Sequence, residues 1–367
     1  MATIATSCIK DEAPNSEADI IACTIEGDIL NRLPIIGNDE ITLYIKDGAA
    51  ITNVVPKFTM TEGATISPAE GTSCDFTKSQ HYIFKVTSQD KKWTKEYTLK
   101  VLPPINTDYS FENVHTKELP DNRGSYYIFY EQFINKNEIF SWASGNEGYA
   151  FTGVEDIKDK DKYPTTQDSQ GYIGKCLKLQ TKNTGTLGAT VGMPLAAGNL
   201  FLGSFSVNLA DVLSATRFGV PFTHIPTSLK GWYKYTPGPT FYKLNDKKKL
   251  EEVPGKIDRC DIYAVFYEVN PGQETLTGHN ILDGEKNPNI ISVARIDKAV
   301  ETSWTPFNLK FETIKDRKVE ETKLSEGKYN LAVVFSSSID GAYFEGAPGS
   351  TLWIDEVSIN YEGKEVQ

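Results

Sequence analysis

The chain has 367 residues and a formal charge of −11, with 18 Tyr, 18 Phe and five Trp against only three Met. That acidic balance disfavours non-specific grip on nucleic-acid phosphates and charge-driven adhesion to anionic lipid. No continuous apolar run is long enough to read as a membrane-spanning helix, and the length predicts two to three folding units.

Small, weakly apolar residues from Met1 to Ser7 run into Cys8, followed by Lys10, Asp11 and Glu12 and then a polar stretch over 13–19. A small-residue run ending in Cys ahead of a polar tether resembles the end of a bacterial lipoprotein signal. The resemblance implies lipidation at Cys8, a longer precursor, and a membrane held only through a lipid anchor. The acidic-basic triplet after Cys8 is similar to a surface-export signal of Gram-negative gut bacteria, which implies an outer-membrane lipoprotein exposed at the cell surface. The competing reading is an untargeted terminus with a chance Cys. The remaining cysteines, Cys23, Cys74, Cys176 and Cys260, form no CxxC pair, and the four His are scattered, so no zinc-ligand spacing occurs. Cys23 and Cys74 read as two buried thiols, with a bridge as the alternative.

From residue 20 the apolar residues recur at every second position, as in Tyr82, Phe84 and Val86 and again in Tyr97, Leu99 and Val101. That period lays one face of each strand on a core and the other in water. Strands are expected over 20–26, 41–46, 51–60, 81–88 and 93–102, with a polar hairpin loop at 88–92. Together they predict an immunoglobulin-like β-sandwich over 20–104, after a tether over 1–19. The alternating Tyr-Phe-Val and Tyr-Leu-Val segments resemble the bacterial Ig-like modules of surface glycan-handling lipoproteins, which implies a spacer role. Pro103 and Pro104 end the last strand, because neither donates a ladder hydrogen bond, and they set the expected domain boundary.

Beyond residue 105 strands are expected over 126–133, 148–152, 175–181, 200–207, 216–222, 229–236, 260–269, 290–297, 306–312, 328–336 and 351–361. A short helical turn is expected over 208–215, and long polar loops over 155–170, 237–258 and 270–289. Strands without intervening helices predict a second, larger all-β sandwich, a jelly roll over 105–367. Its segment from Asp261 to Glu268 is almost continuously apolar, as a central strand covered on both faces would be.

Five stretches of this second half, 197–205, 219–222, 229–235, 261–268 and 352–359, resemble in order the "Putative carbohydrate metabolism domain" family of gut-bacterial surface proteins. The resemblance implies an oligo- or polysaccharide ligand and outer-membrane glycan-uptake partners, with no established reaction. Sugars offer C–H faces and hydroxyl edges, which aromatic platforms with a few polar partners hold. Within the resembling segments Tyr233 and Tyr235 share one strand face and Trp232 and Lys234 the other. One pair must meet the core and the other a ligand or solvent; the two Tyr, which carry hydroxyls, are the expected sugar contacts. Trp232, Lys234, Asp261, Tyr263, Glu268 and Trp304 complete the candidate carbohydrate-binding set. Glu112 near the domain start and Asp355 near its end resemble the paired carboxylates of sugar-binding jelly rolls, which implies a structural calcium, with two solvent carboxylates as the alternative. No other cofactor is implied.

Asp261 and Glu268 stand at opposite ends of one strand, about 23 Å apart by strand rise. Glycosidase carboxyls need roughly 5–10 Å, so these two cannot act as an acid/base pair. Glu131, Asp258, Asp297 and Glu312 are further carboxylates that sequence cannot pair. Neither a Gly-x-Ser-x-Gly elbow nor a phosphate-cradling glycine loop is present. The sequence therefore predicts a surface glycan-binding protein, with no catalytic residue assigned. A glycoside hydrolase or lyase on the same fold and a structural adhesin subunit are the alternatives.

Overall fold

The computed structural model describes residues 14–46, 48–79, 81–134, 137–270, 275–284, 286–297 and 302–364, with only the backbone described for 131–134 and 137–140. Cys8 and its expected lipidation lie outside the described residues. The chain forms two compact units, Met1–Pro103 and Pro104–Gln367, and both are built of strands.

In the first unit a five-stranded sheet runs in the order Ile35–Ile36, Glu40–Tyr44, Thr94–Leu102, His81–Thr87, Thr65–Ser67, and a separate pair joins Ile20–Ile25 to Pro56–Met60. The period-two pattern is realised as inward Phe84 and Val86 on one strand and Tyr97, Leu99 and Val101 on its neighbour, all buried. The two layers meet where Phe58 lies edge-on to Phe84, with ring centroids 4.8 Å apart. Cys23 and Cys74 are free, buried thiols, and burial pushes their pKa values to about 12 and about 11.

The second unit is a sandwich of two antiparallel sheets. The first runs Thr165–Asp168, Cys176–Gln180, Thr351–Tyr361, Pro226–Thr236, Thr305–Lys310, with Asp108–Tyr109 added beside 351–361. The second runs Asn199–Phe201, Tyr329–Ser336, Asp261–Glu268, Ile290–Arg295, Glu312–Thr313. Between them Leu229, Tyr233, Tyr235, Leu352 and Ile354 of the first sheet pack with Ile262, Ala264, Phe266, Leu331 and Phe335 of the second. Gly231 sits among these inward residues because the Phe307 ring comes within 2.7 Å of where a Cβ would stand.

The opposite face of the second sheet is also covered. Tyr263, Val265 and Val334 pack under Phe218, Leu276 and Ile281. Asp261–Glu268 is thus buried on both faces from Asp261 to Tyr267, which accounts for its unbroken apolar run. Two expectations change. Of residues 148–152, expected as a strand, 148–151 belong to a short helix, Asn146–Phe151, that buries Tyr149 and Ala150, and Thr152 caps it; an apolar run this short does not separate helix from strand. The loops expected over 155–170, 237–258 and 270–289 contain the short strands Thr165–Asp168, Tyr242–Leu244, Leu250–Glu252 and Leu276–Thr277.

Candidate functional site

The strand Pro226–Thr236 decides which aromatics meet solvent. Tyr235 is fully buried and its hydroxyl donates to the Ser337 carbonyl at 3.1 Å. Tyr233 is 4% exposed and packs toward Phe307, ring centroids 6.2 Å apart. The expectation that these two tyrosines contact sugar is therefore corrected: they belong to the layer between the sheets. Periodicity shows only that the two faces differ, and the facing sheet determines which of them is sealed. Tyr235→Phe removes one buried hydrogen bond, so it is expected to cost about 1 kcal/mol in urea unfolding and to leave glycan binding unchanged.

Trp232 and Lys234 lie on the other face, where the register builds a row. Lys178, Trp353 and Lys234 are direct cross-strand neighbours on three adjacent strands. The Lys234 ammonium lies 4.3 Å from the Trp353 ring centroid and 5.4 Å from that of Trp304, a two-ring cation–π cage. Among the described residues Lys234 takes part in no ion pair. The Trp353 indole N–H donates to Asp168 Oδ2 at 3.0 Å, and Lys178 lies 3.8 Å from the same carboxylate. Burial works against the charged form of Asp168, but the Trp353 and Gln170 N–H groups and the two lysine charges outweigh it and hold its pKa below the usual carboxylate value.

One row along, Trp232 stands opposite Asp355 and is stacked by Tyr172, with ring centroids 3.8 Å apart and planes 12° from parallel. Tyr172 also meets Trp304 edge-on at 6.3 Å. Trp232, Trp304 and Trp353 are half-buried and Tyr172 is 42% exposed, so the outer face of the first sheet carries a strip of four rings around a lysine. A strip of this kind can stack on sugar C–H faces while Lys178, Lys234 and Asp168 address hydroxyls.

Tyr172 reaches the strip from the turn 171–175, and the two carboxylates expected to hold calcium anchor that turn. Asp355 Oδ2 accepts the Ile173 N–H at 2.9 Å, and Glu112 Oε1 accepts the Lys175 N–H at 2.7 Å. Gly174, with φ +63°, passes so close that a Cβ would fall 2.1 Å from Glu112 Oε1. Asp355 is fully buried, and that burial pushes its pKa to about 6. Among the described residues no group of three or more His, Cys, Asp or Glu side chains is placed to hold a metal. As N–H acceptors Glu112 and Asp355 hold the turn, which the Gly171 N–H also closes on the Gly174 carbonyl at 2.9 Å.

The other candidates lie elsewhere. Glu268 ends its strand in an ion pair with Lys323 at 2.9 Å, and Lys323 also holds Glu320 at 2.7 Å. Asp261 is 3% exposed and is clamped by Arg295 through Nε at 3.0 Å and Nη2 at 2.7 Å. Asp261 and buried Tyr263 line a cleft on the outer side of the second sheet. None of these three touches the aromatic strip, so they are corrected as members of that site. The strip's Tyr172, Trp353, Lys178 and Asp168 escaped the sequence reading. Trp353 and Asp355 alternate with inward Leu352 and Ile354, a signal that could have found Trp353; Tyr172 comes from a turn and follows no period.

Residues 110–360 match the family described as "Putative carbohydrate metabolism domain", and residues 20–101 match the family described as "SGBP, N-terminal". A solved structure from Bacteroides thetaiotaomicron, described as a putative glycoside hydrolase, is 44% identical, with 97% of this chain and 100% of that chain covered and a TM-score of 0.72. A second from Bacteroides vulgatus, described in the same words, is 40% identical over 71% of this chain and 99% of that one, with a TM-score of 0.63. No curated protein matches the chain.

Proposed function

The chain belongs to the carbohydrate metabolism domain family matched over 110–360, carries the N-terminal module of surface glycan-binding proteins, and on that premise we propose that it binds glycan chains on the strip formed by Tyr172, Trp232, Trp304 and Trp353. The observation that carries the reading is the caged Lys234 among rings left open to solvent on an otherwise polar sheet face. Stacking on the rings supplies apolar burial, and the lysine and Asp168 supply direction. Display at the cell surface through lipid on Cys8, beside glycan-uptake partners of the outer membrane, is the setting this function fits.

A hydrolase needs two carboxyls facing one another across the substrate at one of two spacings. In the strip Asp168 is half-buried and can address a hydroxyl, but Asp355 is sealed under the turn at 171–175, so these two do not offer a substrate a pair of carboxyls. Binding without cleavage is the better reading of this geometry.

The experiment is a polysaccharide array probed with residues 20–367 in calcium and in chelator, followed by product analysis of every glycan retained. Retention without release of shorter sugars is the expected result. Absence of any retained glycan rejects the proposal, and steady release of reducing ends replaces it with catalysis. The same samples decide the role of Glu112 and Asp355. A calcium-induced rise of more than a few degrees in thermal midpoint, lost in Asp355→Asn, assigns them an ion; an unchanged midpoint leaves them as anchors of the turn.

A further inference from the structure

We propose that the cleft on the outer side of the second sheet is a separate site for a small uncharged aromatic group, such as an aryl aglycone or a phenolic ester. The cleft encloses about 330 Å³, within the range of small-molecule sites and too confined for a broad protein surface. Its floor is Tyr263 and Val334, and its walls come from the short helices Asn146–Phe151 and Gly185–Thr190, the 207–213 segment and the 341–344 turn.

Two observations fix the ligand chemistry. The first is the rim. Of the nine large apolar side chains left exposed among the described residues of the second unit, six line this one cleft: Phe151, Leu187, Val191, Leu209, Leu282 and Tyr343, between 42% and 61% exposed. A soluble surface seldom concentrates apolar side chains in this way unless something apolar is seated on them. The second is that several polar groups of the wall already have partners within the protein. Asn199 accepts the Gly145 N–H at 2.8 Å and donates to the Ala197 carbonyl at 3.2 Å. Thr184 donates to the Met193 carbonyl, Ser338 to Asp258, and both Asp261 oxygens are taken by Arg295. A bare sugar, with a hydroxyl on nearly every carbon, would exchange its water for a wall that returns few hydrogen bonds. A flat apolar ring loses nothing there and gains contact with Tyr263, Phe205 and Tyr343. His279 also lines the cleft, with its Nε2 held by Asp211 at 2.8 Å.

The test is calorimetric titration of the full chain with methyl ferulate and with phenyl β-D-glucopyranoside, using methyl β-D-glucopyranoside as the sugar-only control. Both aromatic probes should bind saturably below about millimolar concentration, with the control at least about tenfold weaker. Ala342→Trp, an exposed lining position, fills the cleft and should reduce methyl ferulate affinity by at least about tenfold, as should the paired exposed changes Leu209→Ser and Leu282→Ser. Trp232→Ala with Trp304→Ala, which removes the strip, should leave methyl ferulate binding intact, so failure here and failure of glycan binding are told apart. The proposal is overturned if neither aromatic probe saturates, as when the cleft seats an apolar segment of a partner protein. It is equally overturned if affinity follows the strip variants instead of the cleft variants.

Discussion

Replacing Trp232 and Trp304 together by alanine is expected to lower affinity for the retained glycan by at least about a hundredfold. Each ring is half-buried on the solvent side of the sheet, so its loss removes contact surface without opening a hole in the core. Anchoring aromatics of this kind are each worth about 2 kcal/mol or more, and about 1.4 kcal/mol is a factor of ten. Trp232 also supports the Tyr172 ring stacked on it, so the first substitution disorders a second contact. Lys234→Met separates charge from bulk, because it keeps an unbranched apolar stem and removes the ammonium that lies against Trp304 and Trp353. It should weaken binding by about tenfold or less. Affinity electrophoresis with the glycan identified on the array measures all three variants. Unaltered migration of the double-Trp variant would place the ligand somewhere other than the strip.

The largest expected loss of stability comes from Asp258→Ala. This carboxylate is 1% exposed, and Oδ2 accepts the Ser338 hydroxyl at 2.6 Å, the Ser350 hydroxyl at 2.7 Å and the Ala347 N–H at 2.8 Å, while Oδ1 accepts the Arg259 N–H at 2.8 Å. Burial raises its pKa, and these four donors pull in the opposite direction. Alanine would leave buried donors without an acceptor, each costing about 1–3 kcal/mol, so a total of about 4 kcal/mol or more is expected in urea unfolding. The effect should reach the strip as well. Ser350 leads into the strand bearing Trp353, and its hydroxyl also accepts the Gly238 N–H at 2.9 Å, just after the strand bearing Trp232 and Lys234. Unfolding within about 1 kcal/mol of wild type would show that water or local collapse replaces the carboxylate.

The strands were legible because their determinants are local. Alternation in Tyr82–Val86 and Tyr97–Val101 needs only the two-residue repeat of a pleated chain, and the unbroken apolar run at Asp261–Glu268 needs only cover on both faces. The site was half legible for the same reason. Trp232, Lys234 and Trp304 were named as candidates, but Tyr233 and Tyr235 were given the contact that belongs to the other face. Tyr172 was out of reach, since a turn held by Glu112 and Asp355 carries it to Trp232 from sixty residues away in the chain.

By itself, then, the order of residues determined an acidic all-β polypeptide in which one face of each half-buried strand differs from the other. Which face was buried, and which rings met across neighbouring strands, was decided only when two sheets closed on each other. The physical reason is that a strand's pleat records alternation without direction. Direction comes from the apolar surface of the second sheet, which claimed Tyr233 and Tyr235 for the core and left Trp232 and Lys234 outside.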